Sequence, residues 1–389
     1  MNDRCDHCRG ETLTRLYQVP GSQRNLSVYL CEHCGLVQSL PRADHIGSRD
    51  VAVSAGANWG NVRYGKGFRT DAAIDLLRQA KALEQTRAAL DVGANRGAFV
   101  LRLRQLAPEA RITAVEPDAR VMTDYAGNDT ITAINGRIEN EPLMDNHYDL
   151  IHCSHTLEHL HSPRRVLAQL QRALSEDGVL FIEVPNIAFI GQENVVEEWF
   201  IDKHLYHYSP ETLIAALQQA GFHCPEEWIR VDTINISLIA TKGEAGETVP
   251  PHPEEVKTQA RQLISRYETA LRNNHRKLQR AARRLEDLAN QGRRIAIWGA
   301  GRIFDALMTE GELDPAAISA LLDKRLPDFV DQVHGLPIRK PESIVDATPD
   351  LVVIMSREYA DEIGRELDRY LPGCDRLVFS ELMSQDSVY

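Results

Sequence analysis

Three groups of residues in this chain have the types and spacing to do chemistry. The first is Cys5-Asp6-His7-Cys8 with Cys31-Glu32-His33-Cys34. Two CxxC knuckles around a short strand-like segment predict a tetrahedral zinc site with Cys5, Cys8, Cys31 and Cys34 as ligands. Four thiolates leave no open position, so the zinc, one per chain, is expected to be structural and to stabilise a segment too small for its own core. His7 and His33 read as bystanders, and a redox pair is the alternative. The second group is the stretch Ala89 to Val100. An apolar run ends at Asp91, the turn Gly93-Ala94-Asn95-Arg96-Gly97 follows, and a helical pattern resumes at Phe99. Such a turn points backbone N–H groups at a ligand, and its glycines let the backbone approach closely. The next strand ends in Glu116-Pro117-Asp118, about 20 residues on, where a carboxylate meets ribose hydroxyls. Asp91 ahead of GxxxG does not match the GxGxxG of a nicotinamide site. The third group is histidine: 152, 155, 159, 161, 204 and 207 fall in two short stretches. Imidazole titrates near neutral pH, so these are candidate bases. Only His155 and His159 have an i, i+4 spacing suited to a second metal.

Elements must hold these groups in place. Strand and helix patterns alternate: Arg87–Val92, Gly97–Leu106, Arg111–Val115, Asp118–Ala126, Ile131–Asn135, Asp149–Cys153, Pro163–Leu174 and Val179–Val184. Alternation predicts an α/β fold, a parallel sheet with helices on both faces and ligands at the carboxyl ends of the strands. Ser209-Pro210-Glu211-Thr212 reads as a helix N-terminus, and Ile234–Thr241 as a late strand. The segment Asn58–Arg69, rich in glycine, aromatic and basic residues, is a candidate loop over a bound cofactor. Gly243–Pro253 reads as a hinge, and Glu254–Asn290 as one helix with Ile264, Leu271, Leu278 and Leu285 every seventh residue. That seam suits a coiled-coil dimer or a helix lying across two domains. A second strand, glycine turn and helix opens at Arg293, with Trp298-Gly299-Ala300-Gly301-Arg302, and Ile318–Asp323 is its second strand. This smaller Rossmann-like domain lacks a third glycine, so its turn suits a diphosphate better than a full dinucleotide.

The 389 residues leave room for several domains, and 43% hydrophobic content argues against global disorder. The boundaries read as 1–45 for the zinc module, 58–245 for the central domain, 246–292 for hinge and helix, and 293–389 for the C-terminal domain. A net charge of −12 argues against a general nucleic-acid binder. No apolar run approaches a membrane span, and the N-terminus is not a signal peptide. Paired cysteines that suit metal make a reducing cytoplasm the expected location.

The glycine turn, the Val115-Glu116-Pro117-Asp118 segment, the stretch Tyr148 to Leu160 and Gly178–Asn186 together resemble class I S-adenosylmethionine-dependent methyltransferases over roughly residues 60–240. The resemblance implies a cofactor site built from Asp91, Gly93, Ala94, Asn95, Gly97, Glu116, Pro117, Arg137, Ile138 and Cys153. Methionine and sulfonium would lie near Gly93, ribose on Glu116 and adenine beside Arg137 and Ile138. With the zinc module in front and the Trp298-Gly299-Ala300-Gly301 domain behind, nearly the whole chain resembles zinc-containing C-methyltransferases that act on nucleotide-linked keto-deoxysugars. That family places the sugar nucleotide between its central and C-terminal domains. His159 matches its first functional histidine. Its Tyr-x-Glu-His segment falls on Ile201-Asp202-Lys203-His204, so His204 matches while Ile201 and Lys203 depart.

The chemistry so implied is alignment of a nucleophile with an electrophilic methyl group and removal of a proton. His204 or His159 is the expected base, Lys203 would hold developing negative charge, and Tyr208 is a further candidate for proton removal. The acceptor is expected to be a small molecule, with no nucleic-acid or membrane partner, and the protein a monomer or homodimer. O-methylation of a sugar or other metabolite is one alternative. A catalytically silent assembly or binding protein is another.

Overall fold

The structure is a computed structural model that describes residues 4–22, 24–42, 68–125, 127–246, 249–328, 330–357 and 359–384. The expected cofactor loop lies outside the described residues apart from its last positions. By contacts the chain forms two compact units. The first holds the described residues up to Gly191 together with Phe200–Ser265. The second holds Gln192–Trp199 and the residues from Arg266 onward.

The first unit begins with β1 (Leu13–Gln18), β2 (Ser27–Cys31) and β3 (Val37–Leu40). Its main sheet takes β4 (Ala88–Val92), β5 (Arg111–Val115), β6 (Ile131–Ile134), β7 (Tyr148–Ser154) and β8 (Leu174–Pro185), then β10 (Phe222–His223), β11 (Ile229–Val231) and β12 (Asn235–Lys242). The order is β10-β12-β8-β7-β4-β5-β6, with β11 paired to β12. Strands β4 to β8 run parallel, and β12 runs antiparallel to β8. The chain leaves β4 in one direction to β5 and β6, then returns past it to β7. Such a reversal opens a crevice at the carboxyl ends of the strands.

Every residue of β4 is buried, as a central parallel strand requires. Its pleat sends Ala88, Leu90 and Val92 into one core and Ala89 into the other. The first core is closed by α3 (Pro163–Ala173) and α4 (Pro210–Gln219), the second by α1 (Phe68–Gln79) and α2 (Ala98–Leu106). Gly97 caps α2 with φ 74°, a left-handed conformation that other residues adopt at a cost. Ser209 caps α4 reciprocally with Thr212, as the Ser-Pro signal predicts. The expected helix Asp118–Ala126 is instead a 3-10 helix over Ala119–Asp124.

One pairing has no local sequence signal. Residues Tyr206–His207 form β9, which joins β3 as the fourth strand of the N-terminal sheet, with Val37 opposite His207 and Gln38 opposite Tyr206. The cysteine module and the segment after His204 are therefore one sheet.

Helix α5 runs unbroken over Pro253–Asn290. Its seam residues Ile264, Tyr267, Leu271, Leu278 and Leu285 are all buried within the single chain. The seam therefore has its apolar partners already, which removes the coiled-coil dimer reading. In the second unit, β13 (Ile295–Trp298), β14 (Ala320–Leu322), β15 (Gln332–Val333), β16 (Leu336–Arg339), β17 (Leu351–Ile354) and β18 (Asp375–Val378) form a sheet in the order β15-β16-β14-β13-β17-β18. All its pairs are parallel except β15 with β16. Helix α6 (Arg302–Thr309) follows the Gly299–Gly301 turn.

Candidate active site

The first glycine turn is pinned across the sheet. The N–H groups of Gly93 and Ala94 both donate to the Val115 carbonyl, at 2.9 and 3.1 Å. Gly93 has φ 77°, and a Cβ there would lie 2.1 Å from Thr156 Oγ1. That hydroxyl donates to the Val92 and Ser154 carbonyls, so it has no freedom to retreat. A Cβ at Gly97 would lie 2.4 Å from Cδ1 of the Tyr125 ring. Glu116 leans into the turn. One of its carboxylate oxygens accepts the Asn95 N–H and the other the Asp118 N–H, both at 2.8 Å. An ionised carboxylate has about four acceptor positions, so two remain for ribose hydroxyls. Burial raises the Glu116 pKa, against the two amides that pull it down.

The surroundings fit a nucleoside-bearing cofactor. The Tyr125 hydroxyl is buried beside the turn with no hydrogen-bond partner among the described residues. Burial, with Glu116 and Asp91 nearby, keeps it protonated. It is therefore a donor in need of an acceptor. Nothing in the sequence pattern singles Tyr125 out. Asp91 is buried and accepts the His152 Nδ1–H at 2.7 Å. The His152 ring is stacked between Phe99, at 3.7 Å between centroids, and Phe181, at 5.2 Å. Asp91 thus shapes the site from beneath the turn through a fixed imidazole. Arg137 pairs with Glu139 at 3.1 Å and sits next to the buried Ile138. Pro117 accepts the Asn135 side-chain amide on its carbonyl. Cys153 is fully buried in the core and its thiol pKa is pushed up by burial. Its thiol belongs to the hydrophobic core of the first unit.

His155, His159 and His204 gather at the carboxyl end of β7. His159 Nδ1 donates to the Lys203 carbonyl at 2.8 Å, and its ring lies 4.8 Å from that of His204. The two candidate bases, 45 positions apart in sequence, are neighbours. Glu158, which sequence reading passed over, is 1% exposed and lies within 4.8 Å of both through ligand atoms. His155 bonds Asn235 at 3.1 Å and faces Glu183 at 3.5 Å. Burial pushes the Glu183 pKa up, but His155, Ser237 and Ser154 outweigh it and hold the carboxyl at about 2. Lys203 is exposed beside His204. The Tyr208 hydroxyl is turned to the cysteine module. The side chain is fully buried, with its hydroxyl 3.2 Å from His7 Nε2, and burial raises its pKa well above the ordinary tyrosine value. Its role is to join the cysteine module to the strand after His204, which corrects its assignment as a catalytic residue.

The four knuckle cysteines come together as the spacing predicts. Cys5 and Cys34 Sγ atoms are 3.6 Å apart, and Cys8 and Cys31 3.5 Å. These distances exceed a disulfide bond of about 2.05 Å. They approach the edge of a tetrahedron with metal–sulfur bonds of about 2.3 Å. In the second glycine turn, the Ala300 N–H already donates to Asp323 Oδ2 at 3.2 Å. A carboxylate there opposes the expected diphosphate.

A methyltransferase-domain family model matches residues 66–227, and a model described as the C-methyltransferase C-terminal domain matches residues 248–380. A C-methyltransferase of Streptomyces niveus, NovU, is 23% identical over 317 residues, covering 78% of this chain and 74% of that protein. A malonyl-[acyl-carrier protein] O-methyltransferase of Geobacter sulfurreducens is 36% identical over 95 residues, covering 23% of this chain and 35% of that protein. Among solved structures, a Burkholderia thailandensis N1-methyltransferase with bound S-adenosylhomocysteine aligns with 54% of this chain and 96% of its own, at 16% identity and TM-score 0.38. A methyltransferase core and a C-methyltransferase C-terminal domain are thus matched in that order along the sequence, and the chain is an S-adenosylmethionine-dependent methyltransferase similar to C-methyltransferases.

Proposed function

We propose that this methyltransferase alkylates a carbon of a nucleotide-linked keto sugar and that zinc occupies the four-cysteine site. S-adenosylmethionine, when bound, supplies an electrophilic methyl group. The chain's own residues do the rest. Glu116 and the Gly93–Gly97 turn hold the nucleoside end, and the buried Asp91–His152 pair keeps the floor of the turn rigid. His204, with His159 beside it, takes the proton from the carbon next to the ketone, and the exposed Lys203 steadies the negative charge left on the acceptor. The observation that carries this reading is the meeting of His159 and His204 at the carboxyl end of β7, the edge at which open α/β sheets bind their ligands. The family match and the resemblance to sugar-nucleotide enzymes support carbon and sugar as the target. The protein would work in a reducing cytoplasm as a monomer or homodimer, with its knuckle thiols metallated.

O-methylation is the second reading, favoured by Ile201 and Lys203 where the family resemblance expects tyrosine and glutamate. Calorimetry with S-adenosylhomocysteine comes first, on protein with its metal intact. The protein is then incubated with methyl-labelled cofactor and a nucleotide-linked keto sugar, and the product's methyl carbon is located by NMR. A label on oxygen selects the second reading. Absence of cofactor binding would leave a silent assembly protein.

A further inference from the structure

The residue without an assignment at this site is Glu158. Its carboxylate is 1% exposed, and neither oxygen has a hydrogen-bond partner among the described residues. A buried carboxylate without partners is among the most costly groups in a fold unless a charge or proton compensates it. Two imidazole edges face it: His159 Nε2 and His155 Nδ1, each 3.6 Å from Oε1. The tautomer of His159 is set from its other edge. A carbonyl only accepts, so Nδ1 carries the proton donated to Lys203 O. In a neutral ring the opposite nitrogen is then a bare lone pair, and it points at a carboxylate oxygen that is also a bare acceptor. Two acceptors then face each other at 3.6 Å. The cluster is one proton short of satisfied.

We propose that Glu158 is a positioning residue for proton removal: its buried carboxylate fixes the His159 edge and balances the positive charge that the His159–His204 pair gains from the acceptor. This rests on the reading of that pair as the base. In the step, the acceptor C–H bond breaks and its proton forms an N–H bond on His204. The electron pair left on carbon would form the new bond to the methyl group, whose bond to sulfur breaks and leaves its electron pair on the departing thioether. The charge so placed on imidazole lies within 4.8 Å of the Glu158 carboxylate. Other groups act on the cluster as well. His155 lies on the same turn, with Glu183 behind it. Lys203 and His204 face it from the segment before β9, Cys153 from β7, and Tyr208 from beyond β9. Burial lowers the His159 pKa most strongly, and Glu158 opposes that fall. Removing the charge of Glu158 should therefore weaken the base.

The test is Glu158→Gln, which keeps size and removes charge. The acid limb of kcat/KM for a keto-sugar nucleotide accepted by the wild type should move down by roughly one to three pH units, the usual effect of losing an opposite charge at this range. Turnover should fall by about tenfold to a hundredfold, less than loss of a whole acid–base group. Affinity for S-adenosylhomocysteine should hold. A purely structural Glu158 would lower the folded fraction and leave the acid limb where it is, which overturns the proposal. If Glu158→Gln does not fold, wild-type protein labelled with 15N-histidine decides. His159 and His204 should titrate in shared, two-step fashion. Independent single steps would overturn the proposal. So would metal analysis that finds a second metal per chain, lost on Glu158→Gln while the four-cysteine metal stays. Full turnover in a His159→Ala/His204→Ala double variant would instead overturn the reading of the base itself.

Discussion

The chain makes the same local device twice, and the acid beside each turn spends its hydrogen bonds differently. Both β4 and β13 end in a glycine turn that opens a helix, and in both the next strand ends at an acid. At the first turn Glu116 accepts one amide on each oxygen and keeps acceptor capacity toward the crevice. At the second, Asp323 is one methylene shorter. One of its oxygens accepts the Ala300 N–H, and the other accepts the N–H groups of Arg325 and Leu326 at 2.9 Å each. Asp323 staples its own turn. Glu116 reaches across to a turn that also has Thr156 and Tyr125 packed against its glycines. A shared sequence pattern therefore specifies a shared backbone, while the hydrogen bonds that the acid has already made decide whether a ligand has anything left to bind.

The comparison breaks most sharply at the bases. A His159→Ala/His204→Ala double variant should lose roughly two to four orders of magnitude in turnover, the worth of a positioned acid–base group. Its calorimetric affinity for S-adenosylhomocysteine should stay near wild type, because Glu116 and the first turn are untouched. Weakened cofactor binding of similar size would mean that the two histidines belong to the cofactor site.

The next effect in size concerns the cysteines. Cys5→Ser should remove one metal per chain and destabilise the module, as expected for a closed thiolate site. Because β9 is part of the module's sheet and begins two residues after His204, turnover should fall further than cofactor affinity does. Metal analysis beside the two assays checks this. Equal loss of both would place the module's influence on the whole unit and not on the His204 segment.

Acid offers a third test. The Glu183 carboxyl is held at about 2 in the folded protein, below the ordinary glutamate value of about 4.3. A depressed carboxyl stabilises the fold above the unfolded value, and that contribution disappears as pH falls from there toward the folded value. At about 1.4 kcal/mol per unit the loss is roughly 3 kcal/mol. Ser237→Ala removes one donor to this carboxylate and should make the acid transition begin at higher pH. A denaturation series between pH 5 and 2 that shows no difference between Ser237→Ala and wild type would remove Glu183 as a support for the histidine turn.

How much of this was legible beforehand follows from where each signal lives. The β4–turn–α2 unit, the Ser209 cap and the two knuckles carry their information within a few residues, and the structure reproduces them closely. The pairing of β3 with β9 joins residues far apart in sequence, and a two-residue strand leaves no periodic trace. Glu158 reads in sequence as an ordinary solvated acid, and only the fold reveals that it is buried. Tyr208 lies beside the histidines in sequence, but the pleat turns it toward His7. The seam of α5 was visible as a heptad pattern, which shows that an apolar face exists without showing what covers it.

Replacing Glu116 by Gln should weaken S-adenosylhomocysteine by roughly tenfold to a hundredfold, since charged hydrogen bonds contribute about 1.5–3 kcal/mol. Asp323→Ala is the matching change at the second turn and should have the smallest effect of the series. It releases three backbone N–H groups, costing about 1–3 kcal/mol of local stability in the second unit, and cofactor affinity should not move. The variant also distinguishes two roles for that turn. If the Gly299–Arg302 amides bind a diphosphate, Asp323 is a like charge beside it, and its removal should tighten binding of inorganic pyrophosphate. If the turn is only a staple, pyrophosphate should bind neither protein measurably, and the sole change should be a lower melting temperature. The geometry favours the second outcome, because a carboxylate that occupies the Ala300 N–H competes with any anion for the same donor. Tighter pyrophosphate binding in Asp323→Ala would make the two turns functional counterparts, and the contrast between them would then be one of occupancy.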